Sequence, residues 1–426
     1  MPSPVKAHTL VPKLRFPEFR EAGEWEEKRL DDFATIVRGG SPRPIDEYIT
    51  NDASGLNWLK IGDIDKESKF VTSTQEKVIP AALNKTRVVA PGDLILSNSM
   101  SFGRPYILGI QTCIHDGWIA ISEIKNSLDR DYLYYLMMTS ACQTYFSNNA
   151  AGSGVQNLNA DIIKLLPVSY PNKNEQQKIA DCLASLDELI TLEAQKLATL
   201  KTHKKGLMQQ LFPAVGETLP NLRFPEFLDA GEWEEVALGE ITKFSSGGTP
   251  SKDVAEYWGG SIPWISASSM YETNINKSEL NVPALAIGNG TRISKKGSLL
   301  ILVRGSMLFN RVPIGIATID VAFNQDVKSL EIDDGISGTF LLYQLISFES
   351  RISINETGIG AGKIETDDLK RLMVFVPSVT EQQKIADCLT SLDDLITAQT
   401  QKLAALKTHK KGLMQQLFPA LDEAPA

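Results

Sequence analysis

Arginine, lysine, asparagine and glutamine read base edges with paired hydrogen bonds, while serine, threonine and backbone amides hold phosphates. The 426-residue chain carries such residues in two series of turns. The first comprises Arg38, Ser41 and Arg43; Lys60; Asn98, Ser99 and Arg104; and Gln156 with Asn157. The second comprises Ser246, Thr249, Ser251 and Lys252; Ser266; Arg304, Ser306 and Arg311; Asn324 with Gln325; and Lys363. Any one of them is an ordinary solvated loop residue. Their recurrence in corresponding regions points to nucleic acid, and Arg104 and Arg311 are expected at matching places of otherwise different domains.

Catalytic chemistry has little material. Only four histidines exist, two of them (His203, His409) inside a repeated segment, so metal and triad sites are poorly supplied. No GxxxxGK[ST] loop occurs, Lys363 after Gly362 being followed by Ile364, and no Asn/Asp-Pro-Pro-aromatic methyltransferase motif is found. Asp93 with "EIK" at 123–125 loosely resembles a nuclease carboxylate–lysine set, but the counterpart "EID" at 331–333 lacks the lysine. A nuclease would require Asp93, Glu123 and Lys125 to meet in space. Cys113, Cys142, Cys182 and Cys388 form no CxxC pair and are expected to be reduced packing residues, with no metal bound.

The net charge of −9 argues against coating nucleic acid by bulk attraction. Residues 175–214 and 381–420 hold ten basic and nine acidic groups, leaving 33 basic and 43 acidic elsewhere. Any DNA face must therefore be a local cluster. No run approaches the roughly 18 apolar residues of a membrane span, and "MPSPVKAHTL" lacks a signal-peptide core, so a cytoplasmic protein is expected.

What must position these residues is a duplicated frame. "LRFPEF" at 14–19 returns at 222–227, "AGEWEE" at 22–27 at 230–235, and "GGSP" at 39–42 as "GGTP" at 247–250. Trp58 and Trp264 are displaced by 206 instead of 208. Residues 175–214 and 381–420 share 34 of 40 positions, opening on "EQQKIADCL" in both copies. Between these constant parts the halves match only in scattered places. Two different surfaces are thus mounted on one repeated frame.

The constant end reads as a long helix. Ile179, Leu183, Leu186, Ile190, Leu197, Leu200, Leu207 and Leu211 alternate in steps of four and three, with Glu193 and Lys204 filling the gaps. The second copy runs Ile385, Leu389, Leu392, Ile396, Gln399, Leu403, Leu406, Lys410, Leu413, Leu417. Asn174 with Gln177, and Thr380 with Gln383, have capping-box spacing, and Pro213 and Pro419 stop the runs. Gly206 and Gly412 inside the helices predict either close helix approach or an early end. At 1.5 Å per residue a helix of roughly 38 residues is ~57 Å long, more than a small domain is wide. The two are therefore expected to pair antiparallel, with Glu193 and Gln399 fixing register and the variable domains held at opposite ends of a rod.

Both middles read as mixed α/β: "LNWLKIGDI", "RVVAPGDLILS" and "GWIAISEI" before a helix near 131–146, and "IPWISASSM", "KKGSLLILVRGS" and "DVKSLEI" before one near 339–350. The expected class is α+β: two mixed α/β domains joined by two long helices forming an antiparallel coiled coil, in a pseudo-twofold internal repeat. The expected boundaries are an N-terminal segment 1–22, a first domain 23–171, a helix 172–213, a second domain with its preamble 214–377, a helix 378–420 and a tail 421–426.

The "GG[ST]P" turn, the "W-[LI]-x-x-x-x-[IM]" strand, the glycine loop and the doubled "EQQKIADCL…LD" helix resemble the specificity subunit of type I restriction–modification systems, from about Trp25 to Pro419. The resemblance implies two target recognition domains, each reading half of a bipartite double-stranded DNA target, with the helices as a spacer ruler and no catalytic activity in this chain. It also implies two methylation subunits that use S-adenosylmethionine, and two motor-nuclease restriction subunits, so that S-adenosylmethionine, ATP and Mg belong to partners. A non-catalytic protein–protein scaffold is the alternative reading.

Overall fold

The computed structural model describes residues 10–65, 67–98, 102–150, 157–357 and 360–419. Two compact units result, one running to Ala194 and resuming at Lys402, the other spanning Gln195–Gln401.

The first unit is built on two five-stranded sheets. One orders its strands Thr35–Arg38, Trp118–Ser122, Leu94–Ser97, Pro105–Leu108 and Phe70–Val71. The other orders Ile49–Thr50, Glu76–Val78, Leu56–Leu59, Thr112–Ile114 and Arg87–Val89. In the second unit the strands Thr242–Ser246, Val327–Ile332, Leu299–Leu302, Ile314–Ala317 and Asn274–Ile275 repeat the first order. Asn281–Val282, Ile262–Ile265, Val321–Phe323 and Arg292–Ser294 repeat the second, less its outer strand. Two middles with little sequence in common thus share one topology. The second unit adds a small sheet of Arg304–Gly305, Ala361–Lys363 and Asn355–Thr357. Strands such as "LLIL" and "WIAIS" are apolar without alternation because both their faces are covered.

Helices α1 (Lys173–Leu211) and α2 (Val379–Leu417) are each 39 residues long. Their first turns explain the repeated motif residue by residue. Glu175, 1% exposed, receives Nε and Nη2 of Arg15, both at 2.7 Å, and Glu381 receives Arg223 in the same way. Gln176, fully buried, accepts from Asp129 N and donates to the Ser127 and Pro171 carbonyls. Lys178 reaches Glu18 and lies over the ring of Phe16. The "EQQK" of each helix therefore grips the "RFPE" of its own preamble. Ile179, Ala180 and Leu183 then enter the domain core beside Trp25 and Tyr132, and Ile385, Ala386 and Leu389 beside Trp233 and Phe340.

Within each unit the helices run antiparallel. Asp187 of α1 pairs with Lys410 of α2, and Glu193 with Lys402, in the first; Asp393 of α2 pairs with Lys204 of α1 in the second. Leu186, Ile190, Leu197, Leu200, Leu392, Ile396, Leu403 and Leu406 are half-buried along the paired stretches. Two expectations need correction. The helices are capped two residues earlier than their boxes suggested, Asn172 Oδ1 accepting from Glu175 N and Ser378 Oγ from Glu381 N, while Gln177 and Gln383 turn forward to Asp181 and Asp387. Gly206 and Gly412 mark neither a close approach nor an early end: both helices continue through them, and an added Cβ would meet nothing within 4 Å. No helix among the described residues is long and apolar enough to cross a membrane.

Candidate nucleic-acid interface

The glycine turn is where the two sheets of each unit meet. Gly39 N donates to Trp118 O and Gly40 N to Ile114 O, and a Cβ on Gly39 would stand 2.2 Å from the His115 carbonyl oxygen. In the second unit a Cβ on Gly247 would stand 2.1 Å from Phe323 O, and one on Gly248 2.2 Å from Gly290 O. Only glycine permits that approach. The turn is thereby pressed against the loop that leaves the Thr112–Ile114 or Val321–Phe323 strand.

In the first unit that loop presents Asp116. Its Oδ1 accepts from Ser41 Oγ at 2.8 Å and lies 3.0 Å from His115 Nε2; Oδ2 lies 3.5 Å from Arg43 Nη2. The Asp116 carbonyl accepts from Arg38 Nε at 2.8 Å and from Asn98 Nδ2 at 3.0 Å. His115 Nδ1 accepts from Gly117 N, which leaves an N–H on Nε2, facing the carboxylate. Burial works to raise the Asp116 pKa. The Ser41 hydrogen bond and the charges of His115, Arg38 and Arg43 outweigh it, so the carboxyl stays below its ordinary value.

Arg38, Ser41, Arg43 and Asn98 of the first series converge here. Asn98 is 1% exposed, and its carbonyl accepts from Leu158 N, next to Asn157. Lys60 follows Leu59, whose carbonyl receives His115 N, and its amine pairs with Glu76 at 2.5 Å. Ser99 and Gln156 lie outside the described residues.

The second unit builds the same junction from other residues. Thr249 Oγ1 donates to Gln325 Oε1 at 2.8 Å, and Lys328 bonds Ser246 Oγ. Asn324 is 7% exposed and exchanges hydrogen bonds with Asp326, its backbone N donating to Ile265 O beside Ser266. Arg304 and Lys363 face each other in paired strands, with Lys363 2.7 Å from Glu365. Ser251 and Lys252 are exposed on the turn, and Ser306 is exposed at the start of the short 3-10 helix Ser306–Phe309.

Arg104 and Arg311 do not occupy matching places. Leu96 pairs with Pro105, and Ile301 with Ile314, so Arg104 sits one residue before its strand and Arg311 three before. Arg104 packs on Tyr106, its Nε buried without a hydrogen-bond partner, whereas Arg311 donates to the Met270 and Tyr271 carbonyls. Sequence reading missed His115 and Asp116, having sought base-reading donors. Aligning "CIHDGW" on "AFNQDV" would have set Asp116 opposite Gln325, which was chosen.

The carboxylates of the nuclease reading serve other ends. Asp93 accepts from Ala90 N, and burial, with a smaller contribution from Glu123, raises its pKa. Glu123 accepts from Thr35 Oγ1 at 2.7 Å, and Lys125 N donates to Phe33 O. Among the described residues no group of three or more His, Cys, Asp or Glu is placed to hold a metal.

Residues 22–202 and 230–408 each match the family described as type I restriction modification DNA specificity domain. The chain is 24% identical to the MjaVIII type I restriction enzyme specificity subunit of Methanocaldococcus jannaschii, over 95% of this chain and 93% of that one. It is 30% identical to the EcoR124I/EcoR124II specificity subunit of Escherichia coli over 56% of this chain and 58% of that one. The fold is similar to the crystal structure of a type I S subunit from M. genitalium, with TM-score 0.59 and 18% identity over 97% of this chain and all of the other. It is also similar to a chain from a study of assembly and conformational transition of the type I R-M system, with TM-score 0.61 and 17% identity over 93% and 98%. With two matches that together take in most of its length, the chain belongs to the family of type I restriction modification DNA specificity subunits.

Proposed function

We propose that this chain reads a bipartite, asymmetric DNA target, one half-site per variable domain, and directs adenine methylation or DNA cleavage by partner subunits. The observation that carries the reading is the shared junction with unlike side chains. Both domains press a glycine turn onto the same loop, yet one offers Asp116 among Arg38, Arg43 and Asn98 and the other Gln325 among Thr249, Asn324 and Asp326. Two readers of common plan and different chemistry suit two unlike half-sites. The remaining described candidates, Lys60, Arg104, Asn157, Ser251, Lys252, Ser266, Arg304, Ser306, Arg311 and Lys363, border these junctions or supply phosphate contacts in this reading, and Ser99 and Gln156 are kept as candidates outside the described residues. We retain the domains at 23–171 and 214–377, each followed by its long helix, Lys173–Leu211 or Val379–Leu417.

Two methylation subunits and two restriction subunits complete the assembly, and S-adenosylmethionine, ATP and Mg act on them. The acidic balance of this chain fits partners that supply much of the phosphate neutralisation. The test is single-molecule mapping of N6-methyladenine in DNA from cells that express the neighbouring methyltransferase with and without this chain. An interrupted motif that requires the chain is expected. Replacing residues 39–170 by 247–376 should then yield a motif with two like half-sites. Methylation indifferent to the chain would defeat the proposal.

A further inference from the structure

The hydroxyl of each glycine turn holds the side chain two residues beyond a second-sheet strand. Ile114 pairs with Leu59, and Phe323 pairs with Ile265, so Asp116 and Gln325 occupy one structural position. Ser41 reaches the first and Thr249 the second, each at 2.8 Å. The backbone position and the hydroxyl that holds it are shared; the head group is not. We propose that it is a base-reading position in both domains, Gln325 taking the edge of an adenine and Asp116 accepting from the amino group of a cytosine; this rests on the function proposed above.

The unused hydrogen-bonding capacity supports the assignment. Gln325 is exposed; its Oε1 keeps a second lone pair, and among the described residues Nε2 makes only a 3.5 Å contact, to Asp326. An acceptor beside a donor matches N6 and N7 of adenine. Among the described residues Asp116 Oδ2 meets only Arg43, at 3.5 Å, and a carboxylate can accept but not donate, which suits N4 of cytosine. An anion near DNA is ordinarily repelled by phosphates. Here Arg43, 3.5 Å from Oδ2, and Arg38, bonded to the Asp116 carbonyl, offset its charge. The Ser41 and Thr249 bonds also fix each rotamer beforehand, which reduces the entropy lost on contact.

The experiment is methylation mapping of DNA from cells expressing the full chain, or its Gln325→Ala or Asp116→Asn variant, with the neighbouring methyltransferase. Gln325→Ala is expected to relax one A·T position in one half-site and to lower methylation of the original sites about tenfold or more, leaving the other half-site intact. Asp116→Asn, which adds a donor while keeping an acceptor for Ser41, is expected to let an A·T pair replace C·G at one position of the other half-site. An unchanged motif in both variants would refute the inference while leaving the two-reader function standing. Even loss of methylation at all sites would refute it too, since that marks a role in folding or assembly. If the unmodified chain produces no motif of its own, the proposed function falls first and this assignment falls with it.

Discussion

Lys410 of α2 forms an ion pair with Asp187 of α1, and Tyr135 of the first domain donates to the same carboxylate at 2.8 Å. The second unit repeats the arrangement with Lys204, Asp393 and Tyr343: the lysine stands 2.6 Å and the phenol 2.7 Å from the carboxylate, and the ammonium lies over the tyrosine ring. Each node ties one helix to the other and both to a domain. Burial, with the adjacent carboxylate adding to it, raises both tyrosine pKa values, so the phenols remain donors.

Lys204→Met should therefore destabilise the second unit by about 1–2 kcal/mol, more than an exposed pair would, because Lys204 is only 16% and Asp393 33% exposed. Tyr343→Phe should cost a similar amount, and the double variant less than the sum, since both act on one carboxylate. Urea unfolding of the full chain measures all three. Strict additivity would show that the node does not act as a unit.

A larger effect is expected at Arg15 and Glu175, whose side chains are 7% and 1% exposed and joined through two 2.7 Å hydrogen bonds. Glu175→Ala strands a buried guanidinium and should lower stability by about 3–5 kcal/mol. Removing both charges with Arg15→Met and Glu175→Met should recover much of the loss. The same holds for Arg223 and Glu381. Denaturant midpoints of single and double variants provide the check.

Much of this frame was legible in the sequence. The heptad steps gave the helix pairing, and the repeated "LRFPEF" and "EQQKIADCL" marked two segments that prove to bind each other. Arg38, Ser41, Arg43 and Asn98, chosen from separate turns, meet around Asp116 because turns at one end of a sheet lie close together whatever their separation in sequence. Three things were hidden for physical reasons. Caps depend on where the backbone leaves helical geometry, so Asn172 and Ser378 were indistinguishable from Asn174 and Thr380 as polar residues near a helix start. The common topology of the middles rests on burial, which many apolar sequences satisfy. Asp116 was passed over because an acid reads as hostile to DNA until Arg38 and Arg43 beside it are seen.

Helical glycines ordinarily have a reason in packing, yet Gly206 and Gly412 have open space where a Cβ would project. Gly206→Ala and Gly412→Ala should each stabilise the chain by about 1 kcal/mol through helix propensity alone. Thermal unfolding tests this, and a lower midpoint for either would mean that something approaches there in solution.

Thiol reactivity should divide the cysteines. Burial pushes Cys113 up to about 11 and Cys142 up to about 12, and both are enclosed. Cys182 and Cys388 are raised by burial as well but are only half-buried on their helices. Native alkylation by iodoacetamide at pH 8, followed by mass spectrometry, should label the helix pair well before the domain pair.

The glycine turn makes the sharpest demand on sequence. A Cβ at Gly39 or Gly247 would overlap a carbonyl oxygen of the reading loop, at 2.2 or 2.1 Å, and a backbone atom cannot swing aside as a flexible side chain can. Gly39→Ala should push the turn away from His115, breaking the Ser41 to Asp116 bond and lowering stability by about 1–3 kcal/mol. Recognition should fail in one half-site only, with Gly247→Ala acting on the other. Gly62→Ala, where a Cβ meets nothing within 4 Å, serves as the neutral comparison in the same domain. Methylation mapping beside urea unfolding separates the two effects. If Gly39→Ala were as harmless as Gly62→Ala, the close contact between turn and loop would have to be abandoned as the device that positions the reading side chain.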